Sequence, residues 1–171
     1  MQKNDLWIAP VCEAALIFVV AIVGWVTYKP LVFASLGPTA YELIETPERK
    51  TARPYNVFVG HLTGILAGFV GLYAAHAFNS PAISKGEVTL NRVGAAVLAA
   101  GLTVFFTLLF KASQPAAVST TLLIALGTLQ TWQDGFLIMG AVLMMLLVGE
   151  PLRNLRLQQK ARAERQSQGM P

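Results

Sequence analysis

Two apolar segments decide the fold of this chain: Pro30–Ile44, with the sequence PLVFASLGPTAYELI, and Ser113–Gln130, with the sequence SQPAAVSTTLLIALGTLQ. Each contains an internal proline and is too short or too broken to be an ordinary membrane-spanning helix. Irregular backbone at membrane depth is tolerated only where it faces protein or a water-filled cavity. Matched interruptions in two halves of a membrane protein indicate a binding site for a substrate or an ion.

Four long apolar stretches flank these segments. They predict helices at Pro10–Tyr28, Val57–Phe78, Thr89–Phe110 and Asp134–Val148, and Gly149-Glu150-Pro151 is expected to end the last one. The alternative is that the tail Leu152–Pro171 extends this helix before it frays. The composition agrees, because 54% of the residues are apolar, 13% are charged and the mean hydropathy is +0.55. The first stretch is longer than the apolar part of a signal peptide, so we expect it to be retained. The sequence predicts an all-α integral membrane protein with four long transmembrane helices and two short broken segments.

The order long, short, long occurs twice along the chain. We expect one membrane domain over residues 1–171, with a first repeat at about 7–78, a second at about 88–150, and a basic tail over 151–171. At a constant offset Pro38 pairs with Pro115, and Gly24 pairs with Gly101. The shared order of segments is the stronger sign of an internal repeat.

The distribution of Lys and Arg distinguishes two topologies. If the short segments cross the membrane, ten cations lie on one side: Lys3, Arg49, Lys50, Arg53, Lys111, Arg153, Arg156, Lys160, Arg162 and Arg165. Three lie on the other side: Lys29, Lys85 and Arg92. Segments that dip in and return give a split of eight to five. Because cytoplasmic loops carry the excess of Lys and Arg, six crossings are favoured, with inverted repeats in an inner membrane and both termini cytoplasmic.

The two prolines predict where the short segments become helical, since proline is favoured in the first turn of a helix. Pro38, entered from Gly37, and Pro115, entered from Gln114, are therefore expected to begin two half-helices. Inverted halves would aim the two starts at each other, and the unpaired amides and helix dipoles there would attract an anion. The amides in question lie around Thr39–Tyr41 and around Ala116–Val118. The alternative is that both prolines only mark kinks packed by neighbouring helices.

Polar side chains cluster beside the second break: Ser113, Gln114, Ser119, Thr120 and Thr121. Such hydroxyls can line a site, or can bond to the backbone of their own helix. His61 lies in a predicted span, where an ionisable residue is a functional candidate by default. Its position near the end of that span leaves an interfacial role open.

Three stretches then point to a family. They are Phe33–Ala40 (FASLGPTA), Ala52–Leu62 (ARPYNVFVGHL) and Gln114–Gly127 (QPAAVSTTLLIALG). In this order they resemble the HPP family of integral membrane proteins, described as small proteins with four transmembrane regions. Some plant and cyanobacterial members are implicated in nitrite transport. The family is named for a His-Pro-Pro triplet, but this chain has Gln114-Pro115-Ala116 there, so no role of that histidine carries over. Asn56 and His61 match the second motif and carry over as site candidates.

The resemblance and the pattern together imply a permease, either transporter or channel, for a small inorganic anion, with nitrite as the leading substrate. The candidate substrate-binding residues are Ser35, Gly37, Pro38, Thr39, Asn56, His61, Ser113, Gln114, Pro115, Ala116, Ala117, Ser119 and Thr120. No catalytic residue, cofactor or metal is expected, since the single Cys12 and the two histidines lack ligand spacing.

The expected partners are the lipid bilayer, the anion and a second copy of the chain, but not nucleic acid. Glycine faces could form a homodimer or pack internally. They are Gly60, Gly64 and Gly68 in one helix and Gly94 and Gly101 in another. A non-transporting membrane subunit or assembly factor is the alternative function. A membrane-embedded enzyme is less favoured, because the sequence lacks paired intramembrane carboxylates and a nucleophile–base pair.

Overall fold

The computed structural model describes residues 5–86 and 88–167, and within them the chain is helical without strands. The helices are α1 (Asp5–Thr27), α2 (Leu36–Ile44), α3 (Pro54–Ala74), α4 (Leu90–Leu109), α5 (Ala116–Ala125) and α6 (Trp132–Ser167). Two single 3₁₀ turns cover Lys50–Ala52 and Ile83–Lys85. Four helices, α1, α3, α4 and α6, are long and apolar enough to cross a membrane. The predicted all-α membrane class is confirmed. Lys3, Glu87 and the last four residues of the tail lie outside the described part.

Contacts between distant residues define the two ends of the helical bundle. At one end, the Tyr55 hydroxyl donates to Phe110 O at 3.0 Å, and Arg156 Nε donates to Ile44 O at 3.2 Å. The first bond joins the start of α3 to the end of α4, and the second joins the second half of α6 to the end of α2. We call this end of the bundle the basic end. At the opposite end, Phe69 of α3 stacks on Trp132, the first residue of α6, with ring centroids 4.1 Å apart.

Each half of the chain therefore runs the length of the bundle three times. In the first half these runs are α1, the segment 28–44 that contains α2, and α3. In the second half they are α4, the segment 110–125 that contains α5, and α6. Each contact between two helices has a counterpart when α1, α2 and α3 are replaced by α4, α5 and α6, and the reverse. The contact of α3 with α5 corresponds to that of α6 with α2, and the contact of α4 with α5 corresponds to that of α1 with α2. The contact of α3 with α4 corresponds to that of α6 with α1. The same helix pairs are therefore in contact in both halves, as an internal repeat would require.

The long helices that precede the short segments end in the same way. Tyr28 after α1 and Lys111 after α4 both have a φ of 54°. The next amide in each case bonds a carbonyl five residues back, Lys29 N to Gly24 O at 2.9 Å and Ala112 N to Thr107 O at 2.8 Å. This left-handed cap satisfies carbonyls at the helix end and turns the chain. Both linkers can therefore leave the helix sharply and re-enter the bundle.

The glycines of α3 form an internal packing face rather than a dimer face. A Cβ at Gly60 would lie 2.6 Å from the Gln114 Cβ, and one at Gly64 would lie 2.5 Å from Ala117 O. At Gly68 the nearest atom, the Ile124 Cβ, would be 2.9 Å away. All three neighbours belong to α5 or to the residue just before its cap. The small residues therefore let α5 approach the α3 backbone closely, which is how membrane helices gain packing energy.

The prediction that Gly149-Glu150-Pro151 ends the last helix is wrong. α6 runs through Pro151 without interruption to Ser167. A proline inside a helix removes one backbone hydrogen bond, and that loss is offset here by bonds beyond it. Arg153 Nε donates to Pro47 O at 3.0 Å, and Arg156 holds the end of α2. The start of α1 also differs, because this helix begins at Asp5 and contains Pro10.

A matched pair of glycine substitutions tests the packing of α5 on α3. We expect Gly64→Ala to destabilise the protein by about 1–3 kcal/mol, because the new methyl group would overlap backbone of α5. Gly101→Ala is the control, because no described atom lies within 4 Å of a Cβ there. It should leave stability unchanged or raise it by about 0.5–1 kcal/mol through helix propensity. Unfolding of both variants in detergent micelles measures the difference, and equal stabilities would contradict the packing assignment.

Candidate functional site

The two short helices run in opposite directions against α3. α5 runs parallel to α3, because Gln114 lies beside Gly60 and Ile124 lies beside Gly68. α2 runs the other way: Thr39 reaches His61, whereas Glu42, one turn later, lies near Gln114 toward the basic end. The opposite orientation is thus present, but the starts overlap side by side instead of pointing at each other end to end.

His61 joins the two short helices. Its side chain is fully buried, with 0% of its surface exposed. Nε2 lies 2.9 Å from the Thr39 hydroxyl of α2, and Nδ1 lies 2.7 Å from the Thr120 hydroxyl of α5. One imidazole therefore bridges the N-terminal halves of both half-helices. The interfacial alternative for this histidine does not hold.

The hydroxyl protons assign the tautomer of this imidazole. The Thr39 hydroxyl donates its only proton to Ser35 O at 2.9 Å, so it must accept from Nε2–H. The Thr120 hydroxyl is 3.5 Å from Ala116 O, which is a poor bond, and its proton is better placed on Nδ1. A neutral ring with the proton on Nε2 satisfies every partner. Both ring nitrogens are then fully used by the protein.

A second polar group lies nearer the basic end. Gln114 is 3% exposed, and neither atom of its side-chain amide has a hydrogen-bond partner in the described structure. Glu42 Oε2 and the Thr51 hydroxyl oxygen are also buried and have no hydrogen-bond partner among the described residues. The Glu42 carboxyl lies within reach of the donors of both Thr51 and Gln114, but neither donor has the geometry of a hydrogen bond to it. We call these three residues the acid–amide group. Buried polar atoms left without partners are rare and call for an explanation.

The predicted free amides at the start of α5 are mostly occupied. Ala117 N donates to Gln114 O at 3.0 Å, and Val118 N donates to Pro115 O at 3.2 Å. The tight turn before the helix brings these carbonyls within reach, so only part of the expected anion-binding capacity survives. The two prolines are also not equivalent, because Pro115 is the N-cap of α5 whereas Pro38 is the third residue of α2. Side chains, rather than bare helix starts, supply most of the polar groups of this region.

The predicted site residues divide into an inner and an outer set. The inner, buried ones are Ser35, Thr39, Asn56, His61, Gln114, Ala116, Ala117 and Thr120. Asn56 Nδ2 donates to Ser113 O at 3.1 Å, which ties α3 to the linker before α5. The outer set is not gathered with them: Pro38, Ser113 and Pro115 are exposed, whereas Gly37 and Ser119 are half-buried. The Cβ position of Gly37 has open space around it.

Sequence reasoning missed Glu42 and Thr51. A usable signal existed for Glu42, because it is the one charged residue in the segment Pro30–Ile44. Thr51 carried no such signal, since it lies in a polar loop with several similar residues. Sequence reasoning named Thr121 but missed its partner Thr103, whose hydroxyl lies 2.7 Å from that of Thr121 and continues the polar contacts from α5 to α4.

Buried arginines hold the outer ends of both half-helices. Arg92, at the start of α4, donates to Ala125 O at the end of α5 at 3.1 Å and to Gln130 Oε1 at 2.9 Å. Arg156 of α6 donates to Ile44 O at the end of α2. A cation at a helix C-terminus stabilises the carbonyl groups and the negative end of the dipole. The inner ends of α2 and α5 meet His61, and the outer ends are fixed by guanidinium groups.

Comparison with known proteins gives one match. A family model described as "HPP, transmembrane region" matches residues 2–162 of the chain. No curated protein and no solved structure matches it. The match covers every helix of the bundle and both short segments.

Removing one hydroxyl at the imidazole tests the bridge. We expect Thr120→Val to destabilise the protein by about 1–3 kcal/mol, because Nδ1 would remain buried without a donor. Thr107→Val is the matched control, since that buried hydroxyl bonds only to carbonyls of its own helix, Thr103 O and Val104 O. Unfolding in detergent compares the two, and ¹⁵N spectra of the wild-type ring should show the proton on Nε2. Equal stability of both variants would argue against the bridge.

Proposed function

Because the chain belongs to the HPP family of transmembrane proteins, we propose that it is a permease that moves a small inorganic anion between α2 and α5. One observation carries the proposal: two half-helices of opposite direction meet at a buried histidine, and the buried Gln114 amide has no partner among the described residues. Broken helices at matched positions of inverted repeats are where transporters bind their substrates.

The side chains at this place suit a small oxyanion. The Gln114 amide and the Thr51 hydroxyl are both buried, and each can donate a hydrogen bond that no described residue accepts. The buried Ser35 hydroxyl, two turns before Glu42 at the start of α2, has the same capacity. Neutral donors attract an anion without holding a full countercharge, so the anion can also leave. Nitrite is compact and presents two acceptor oxygens. It is the substrate that we place first, on the strength of the family resemblance.

Two other functions fit the molecule less well. A subunit or assembly factor would use its basic tail for docking, but Arg153 and Lys160 are engaged internally with Pro47 O, Glu150, and the Glu45–Glu48 loop. A membrane-embedded enzyme would need paired intramembrane carboxylates or a nucleophile–base pair, and the sequence offers neither. Both nitrogens of His61 are already bonded to threonine hydroxyls. We therefore keep transport as the function and propose that the protein is not an enzyme.

We further propose that the basic end faces the cytoplasm of a cell with an inner membrane. The cations assigned to this end include Arg49, Lys50 and Arg53, all exposed, and the opposite end has Lys29, Lys85 and the buried Arg92. Positive charge concentrates on cytoplasmic loops. The homodimer remains a prediction, and the glycine face of α3 is not available to it because α5 occupies that face.

Uptake into sealed proteoliposomes tests the permease, with nitrite, formate, nitrate and chloride compared. We expect Gln114→Met to lower uptake of the preferred anion by roughly 10–100-fold, because a hydrogen bond to a charged ligand is worth about 1.5–3 kcal/mol. Gln133→Met is the control, since Gln133 is exposed on α6. Uptake no faster than in protein-free liposomes would refute transport. If the Gln114→Met protein is inserted and monodisperse and its uptake is unchanged, the anion does not pass Gln114.

A further inference from the structure

We propose that the Glu42 carboxyl is a proton-binding site linked to anion binding, so that the protein carries one proton together with one anion. This inference rests on the proposed function and deepens it. The anion occupies the acid–amide group only while Glu42 is protonated. The proton comes from water on one side of the membrane and returns to water on the other, so each transport event is electrically neutral.

The geometry of the acid–amide group supports this link. Glu42 lies in α2, and its Oε2 atom is buried without a hydrogen bond to any described residue. It faces Gln114, whose amide is the unpartnered donor proposed to bind the anion. An anion at Gln114 must therefore lie close to the Glu42 carboxyl. The same place cannot hold two full negative charges at low cost.

The charge state of Glu42 decides whether an anion fits. Two unit charges about 4 Å apart, at an effective dielectric constant near 20, lower occupancy by roughly a thousandfold. A protonated carboxyl instead presents an O–H donor, which can bond an oxyanion directly. Protonation thus converts the same side chain from a repelling group into a ligand. The Gln114 amide and the Thr51 hydroxyl can donate in either state.

The charged groups around α2 do not neutralise this carboxyl by close pairing. Arg49, in the loop before the 3₁₀ turn Lys50–Ala52, is the cation that acts on it, and Arg49 is exposed. Water screens an exposed charge strongly. The other charged groups on elements packed against α2 have different surroundings. Lys50 is exposed, and Glu13 of α1 lies close enough to Glu45 for the two negative charges to repel each other. Arg153 forms an ion pair with Glu150, and Arg156 donates a hydrogen bond to Ile44 O.

His61, the other titratable group near the path, is a weaker candidate for the proton site. Adding a proton to Nδ1 would displace the bond that the Thr120 hydroxyl donates at 2.7 Å. The Thr120 proton would then have only Ala116 O, 3.5 Å away, to bond within its helix. At Glu42, by contrast, the Oε2 atom can take the proton without breaking a hydrogen bond to any described residue.

Proton uptake on anion binding tests the inference directly. Purified protein in weakly buffered detergent solution is titrated with nitrite while a dye reports free protons. We expect wild type, at a pH where Glu42 is ionised, to take up about one proton for each nitrite bound. Glu42→Gln should bind nitrite with no proton uptake. Glu48→Gln is the matched control and should behave as wild type, because Glu48 is exposed and lies 3.4 Å from Lys160.

Transport gives a second reading in proteoliposomes. An inward nitrite gradient should acidify the lumen of proteoliposomes faster than the lumen of protein-free liposomes. The protein-free liposomes measure how fast nitrous acid passes through the lipid itself. Potassium with valinomycin, which sets the membrane potential, should leave the wild-type rate unchanged. Flux through Glu42→Gln should instead depend on the potential, because the anion then crosses alone.

The outcomes separate the inference from the function beneath it. Absence of nitrite binding and flux in wild type overturns both. Binding or flux without proton uptake, or proton uptake that persists in Glu42→Gln, overturns the role of Glu42 and leaves the permease standing. If Glu42→Gln does not fold, the infrared difference spectrum of wild type on nitrite addition decides. A new band of a protonated carboxyl supports the inference, and its absence refutes it.

Discussion

The contact on which the rest of the structure depends is the imidazole of His61 between two threonine hydroxyls. Thr39 belongs to α2 and Thr120 to α5, so a single side chain of α3 fixes both short helices at their inner ends. In the interior of a membrane protein an unpaired ring nitrogen would be costly, since water is not there to replace a lost partner. The position of each half-helix is thereby set by the need to satisfy one ring. Glu42 of the acid–amide group lies about one helical turn after Thr39 in α2.

Much of the fold was predictable because membrane burial imposes simple requirements. Apolar runs of about twenty residues identified α1, α3 and α4, a shorter run identified α6, and the matched prolines identified the two short segments. The end of α6 was not predictable from local rules. Pro151 predicts the end of a helix, but the helix continues past it. Its continuation is stabilised by hydrogen bonds from Arg153 to Pro47 O and from Arg156 to Ile44 O. Those bonds join residues more than a hundred positions apart.

The site was predictable only in part, for a related reason. Ser35, Thr39, His61, Gln114 and Thr120 were named as candidates from motifs and from polarity within apolar segments, and the structure buries all five. Glu42 and Thr51 were not, because their role depends on facing Gln114 across the bundle rather than on their neighbours in sequence. Helix-start rules overstated the free amides of α5, since a preceding turn had already bonded Ala117 and Val118. Local rules count donors, whereas tertiary structure decides which of them remain.

The exchange of contacts between the halves has a consequence for assembly. α5 packs chiefly on α3 and α2 packs on α6, so each short helix finds a main support in the opposite half of the chain. α2 emerges early in synthesis, yet Arg156, which bonds its last carbonyl, lies near the end of the chain. The contacts that support α2 are therefore complete only once α6 is in place. Neither half of the chain contains by itself all the contacts of its own short helix.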